Sequence, residues 1–198
     1  MKLATKFFLL VFAFAPIHRL CADPLATART LKDSTYKDWT YGSKASDKQV
    51  DCVQFVKAVL DKELKTPLNA EQNKAVLIAH NWTETETQQK AADGTDKKIQ
   101  GVHYALVDLA QAGISVKLKE AKAGDFVQYW MIKKKAKPED PDVWSGHSGV
   151  IASVAGTMAT LISADPGNNA SDKGGVRESK KLNLIEAADR RIYLVRLK

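Results

Sequence analysis

Long apolar runs are missing from this 198-residue chain. Residues 7–15 (FFLLVFAFA) make nine in a row, too few to span a bilayer. An apolar share of 44% suits an ordinary core and is too low for an integral membrane protein. Cysteine is scarce, with Cys21 and Cys52 the two present. No Lys/Arg cluster is interleaved with aromatics, so nothing points to nucleic acid. Zinc spacing is absent, because the Cys and His residues are scattered. Asp165, Asn168 and Asp172 are similar to part of a calcium loop, but its terminal Glu is missing. No phosphate or dinucleotide motif appears, so neither a metal nor a cofactor is expected. There is no internal repeat and no low-complexity tract.

The first residues carry a positive signal. Lys2 and Lys6 precede the short apolar run, Pro16 ends it, and Ala22 offers a small residue for cleavage before Asp23. That order describes a secretory signal peptide over residues 1–22. The expected mature protein is one domain, residues 23–198, periplasmic or secreted, with no integral membrane segment left. Cleavage removes Lys2, Lys6 and Arg19 and no acids, so the formal charge of +7 falls to +4. A mildly basic exported protein stays near anionic polymers or surfaces. Cleavage also leaves Cys52 without a disulfide partner. A lone thiol in an oxidising compartment is a liability unless chemistry needs it.

Residues 23–50 read as irregular and polar, anchored by Trp39 and Tyr41. From Asp51, Val53, Val56, Leu60 and Leu64 recur at helical steps, with Asp51 as the cap and Pro67 beyond the end. Further helices are expected over 70–82 and 102–112, the latter stopped by Gly113. Residues 83–100 read as a polar loop, and 133–146 as a charged one. Strands are expected over 126–132, 147–154, 158–164 and 192–197, with turns at 122–125 and 155–156 and a Gly/Asn/Asp loop over 165–175. Helices first, then an antiparallel sheet, is an α+β layout.

Cys52 falls in the first turn of its helix, where unpaired amides and the dipole favour thiolate over thiol. It reads as a nucleophile or as a small buried hydrophobe. A nucleophile needs a base within hydrogen-bond reach. His80 and His103 lie on expected helices and read as surface or interface residues. His147 opens a strand after a turn, a rigid place for a base.

Tyr41-Gly42, then Asp51-Cys52 opening a helix with Phe55-Val56, resembles the start of the NlpC-type cell-wall cysteine peptidases. Ala123-Gly124-Asp125-Phe126-Val127 and Gly146-His147-Ser148-Gly149-Val150-Ile151 resemble their second block, and the related CHAP amidases share the order. The resemblance spans residues 36–165. It implies a papain-like (NlpC/CHAP-type) core, with N-terminal helices packed on a C-terminal antiparallel β-sheet. It implies amide hydrolysis through a Cys52 thioester, with His147 as general base and the backbone around Val53 stabilising the oxyanion. Tyr41 is similar to the family's Tyr beside the nucleophile, and reads equally as a core aromatic.

The resemblance also implies a polar residue, on the strand after the His strand, that orients the imidazole. Alternation puts Leu161, Ser163 and Asp165 on one face and Thr160, Ile162 and Ala164 on the other. Asp165 is the choice, for its charge and its place at a strand end. Ser163 and Asn168 are the alternatives, and Asp165-Pro166 reads equally as a turn. The expected substrate is a peptidoglycan peptide. The alternatives are another amide substrate on the same fold, or an inactive wall-binding relative. The last draws on Val53-Gln54 standing where the NlpC pattern has Ser-Gly.

Overall fold

A computed structural model describes residues 22–78, 83–133 and 139–198. Residues 1–21 lie outside it, so the expected leader does too; so do His80 and the end of the helix expected over 70–82. Among the described residues, no helix is long and apolar enough to cross a membrane.

The architecture is α+β. Six strands form one antiparallel sheet: β3 (Gly113–Val116), β4 (Phe126–Ile132), β5 (Trp144–Ala155), β6 (Met158–Asp165), β7 (Gly175–Asn183) and β8 (Arg190–Leu197). Their spatial order is β3-β8-β4-β5-β6-β7. Two short strands, β1 (Thr40–Tyr41) and β2 (Gln49–Val50), pair in parallel apart from it.

The helices form where capping and apolar spacing agree. In α1 (Pro24–Asp33), Asp23 caps the start, and Pro24, Ala28 and Leu31 are buried. In α2 (Cys52–Glu63), Asp51 accepts from the Gln54 amide at 2.8 Å, and the Gln54 side chain accepts from the Asp51 amide at 3.1 Å. This reciprocal pair satisfies two otherwise orphan donors. Val53, Phe55, Val56, Val59 and Leu60 of α2 are buried and pack on β5 and β6. Phe55, Val56, Val59 and Leu60 join Phe126, Val150, Ile162 and Val195 in a core on one face of the sheet. The other face carries a second core of Val127, Tyr129, Ile151, Leu161, Leu182 and Leu194.

Several expectations are corrected. Residues 23–50 are not irregular, since α1, β1 and β2 lie there. Helix α3 runs Ala70–Val76 and ends at Leu77, which leaves helical geometry. The supposed loop 83–100 holds α4 (Glu84–Asp93). That helix lacks an apolar stripe, burying only Thr87 and Ala91, and is set by its ends and surface pairs. Thr83 caps it, Gly94 closes it at φ +65°, and Lys90–Glu86 and Gln88–Glu84 link successive turns. The helix expected over 102–112 is α5 (Val102–Tyr104), widening to a π turn over Ala105–Leu109. Gln111, at φ +52°, ends it, and Gly113 begins a strand. The sequence reading also missed β7.

The turn before β4 ties three strands together. Gly124 sits at φ +89° and donates its amide to Ile151 of β5 at 2.8 Å. Asp125, fully buried, accepts from the Lys122 amide at 2.9 Å and from Arg196 of β8 at 2.7 and 3.0 Å.

Candidate active site

Cys52 is the first residue of α2 and His147 lies in β5. His147 does not open its strand, because β5 begins three residues earlier at Trp144. Two forces extend the strand: Trp144 enters a small core with Trp130, and Gly146 lies flat against the Trp130 ring. A Cβ at Gly146 would come 2.8 Å from that ring.

Val150 pairs with Ile162, and Ile151 with Leu161. The same register carried back along β5 sets His147 opposite Asp165. His147 Nε2 lies 3.1 Å from Asp165 Oδ1, off the direction of a well-aligned hydrogen bond. Asp165 Oδ2 accepts from Ser163 Oγ at 2.8 Å. Both partners of the ion pair are buried. Nε2 faces the carboxylate, which leaves Nδ1 as the other nitrogen of the ring. The His147 side chain and the Ser148 backbone N–H both lie close enough to Cys52 to act on its thiol.

The electrostatics follow from this geometry. Burial pushes the Cys52 thiol up. The His147 hydrogen bond, the His147 charge and the Ser148 amide outweigh burial and hold it below its ordinary value, against the nearby Asp51. Burial pushes His147 down. The close contacts with Asp165 and Cys52, with the charges of both, raise it to about 9. Asp165 is likewise raised by burial, but His147, Ser163 and Lys180 bring it below the ordinary carboxylate range. Each member favours the charged form of its neighbour, so the set is built for a thiolate beside an imidazolium.

No family model, curated protein or solved structure matches the chain.

The remaining sequence candidates sort by position. Tyr41 pairs with Val50, and its amide donates to Lys173 at 3.1 Å. Its phenol is pushed up to about 12, first by burial and then by the charges of Cys52, Asp51 and Asp165, so it lies near all three. Val53 follows Cys52 in the first turn of α2, where helix amides have no partner in their own helix. Ser163 buttresses Asp165. Asn168 belongs to the next loop, and its amide donates to Asp172 at 3.0 Å. His103 bonds Ser115 of β3 at 2.9 Å and lies against Tyr193 of β8.

Sequence reasoning missed Tyr129, Ser148 and Lys180. Tyr129 stands opposite His147 on β4, its ring 5.5 Å from the imidazole and edge-on to it. Period-two alternation in residues 126–132 is the signal that could have found it, once the register was known. The Ser148 amide had no such signal, because any residue supplies one.

Proposed function

We propose that the protein is an exported cysteine hydrolase with a papain-like (NlpC/CHAP-type) core, cleaving amide bonds in peptidoglycan peptides. One observation carries this reading: Cys52, His147 and Asp165 come from a helix start and two neighbouring strands and meet, with His147 3.1 Å from the Asp165 carboxylate and close to the Cys52 thiol. The ordered resemblance to the NlpC and CHAP groups supplies the substrate class.

The Cys52 thiolate adds to the carbonyl carbon of the amide. The oxyanion is held by backbone amides at the start of α2, that of Val53 among them, each worth about 3 kcal/mol. As the C–N bond breaks, the His147 imidazolium gives its proton to the departing amine, leaving a thioester on Cys52. A water then loses a proton to His147 as it attacks the thioester, and the acid departs with thiolate and imidazolium restored. Asp165 keeps the ring oriented and stabilises its charged form.

An inactive relative was suggested by Val53-Gln54 in place of Ser-Gly. Gln54 has another explanation: it completes the cap of α2, and its Nε2 also donates to the Ser43 carbonyl at 3.1 Å. The Gln54 part of the departure therefore serves the helix start.

The test is mass spectrometry of peptidoglycan incubated with the secreted protein. New fragments cut within the peptides are expected, and none with Cys52→Ala. Intact peptidoglycan, with a thiol that reacts no faster than free cysteine, would sink the reading. Intact peptidoglycan with a fast thiol would redirect it to another amide substrate.

A further inference from the structure

We propose that Lys180 is a positioning residue of this site: it shares Asp165 Oδ1 with His147 and so limits how firmly the carboxylate holds the imidazolium. The inference rests on the reading of Cys52, His147 and Asp165 as the reacting set.

A β-bulge brings Lys180 there. Along β6 and β7, Ser163 pairs with Arg177 and Ile162 with Glu178. Regular pairing would continue with Leu161 opposite Ser179, and Thr160 opposite Lys180. Instead Leu161 pairs with Lys180, and Ser179 is left as the extra residue. The slip moves Lys180 from the face of Thr160 to the face of Leu161, Ser163 and Asp165. Lys181 takes the place opposite Thr160, and its Nζ donates to Thr160 Oγ1 at 2.6 Å. Neighbouring lysines are thus sent to opposite faces with different partners.

At Asp165 the two oxygens divide. Oδ2 is taken by Ser163. Oδ1 is 3.1 Å from His147 Nε2 and 3.8 Å from Lys180 Nζ. The lysine distance is beyond a hydrogen bond, and Lys180 makes none among the described residues. Its side chain keeps 43% of its exposure, so solvent screens the charge without removing it. A cation there acts on the imidazolium in two ways: it repels the ring's charge, and it draws on the oxygen the ring depends on.

The other groups around the carboxylate leave this role to Lys180. From α2 come Cys52 and Asp51, already part of the thiolate balance. Tyr41 from β1 and Tyr129 from β4 are both pushed up, first by burial, and stay neutral where His147 titrates. Arg177, also on β7, is committed to Asp172, with one bond at 2.8 Å and a shorter second one.

The experiment is an NMR titration of the His147 ring in the full secreted protein, assigned with His147→Asn. The wild-type ring should titrate near 9. Lys180→Met should raise that midpoint by roughly half a pH unit, since the imidazolium loses a like charge. Lys180→Arg should leave it where it is. Lys180→Gln carries the same test if the Met variant does not fold. A merely structural lysine would lower thermal stability and leave the midpoint in place. An unchanged or lowered midpoint in the neutral variant overturns the proposal. A wild-type ring that titrates near its ordinary 6.5 overturns the ion-pair reading beneath it, and the proposal with it.

Discussion

At the Cys52 sulfur, burial and its neighbours pull in opposite directions, and the neighbours win because three of their effects act together. Alkylation by iodoacetamide should therefore remain fast near pH 6, where a free thiol of pKa about 8.5 is almost wholly protonated. His147→Ala should return the rate to an ordinary thiol titration. The His147–Asp165 pair makes a second prediction, about stability. Asp165 has a lowered folded value, so its contribution is present above the ordinary 3.8 and lost as pH falls through the folded value. His147 has a raised one, so its contribution is full below 6.5 and lost as pH rises through about 9. Thermal melts of wild type and Asp165→Asn should differ most between those ordinary values and converge above pH 9. In activity, Asp165→Ala should lose more than Ser163→Ala, and Asn168→Ala should lose little, because Asn168 serves its own loop.

At the scale of elements, the start of α2 fixes the Cys52 thiol. Asp51→Ala removes one half of the cap and should cost about 1 kcal/mol in chemical denaturation. Asp51, the α2 spacing and the strands at 126–132 and 158–164 were legible because cap chemistry and side-chain period agree there. Helix α4 was not legible: Thr83, Gly94 and its i,i+4 pairs define it, while its composition reads as a loop. Strand β7 escaped because Arg177, Glu178, Lys180 and Lys181 give an edge strand little apolar signal. Of the site, Cys52, His147 and Asp165 could be named from sequence. Lys180 could not, because a bulge decides which face it takes.

At the scale of the molecule, Asp125 joins the entry of β4 to β8 through Arg196. Its side-chain partners are the Lys122 amide and Arg196, so its part in the turn before β4 is structural. Asp125→Ala leaves Arg196 without its carboxylate and should cost about 3 kcal/mol in urea unfolding, with thiol reactivity kept in the folded fraction. Helix α1 adds a different kind of link. Arg29 reaches Glu178 of β7 at 2.7 Å, one residue before the bulge, and Thr27 bonds Glu63 of α2. The cap of α1 is Asp23, the residue that would become the new amino terminus on cleavage after Ala22. A cut there would place a fresh ammonium group at the positive end of a helix, with the Asp23 carboxylate to offset it. Trimming by a single further residue would strip that carboxylate away and leave the ammonium unopposed. The charge balance at Asp23 thus bears on how firmly the first helix holds the edge of the sheet.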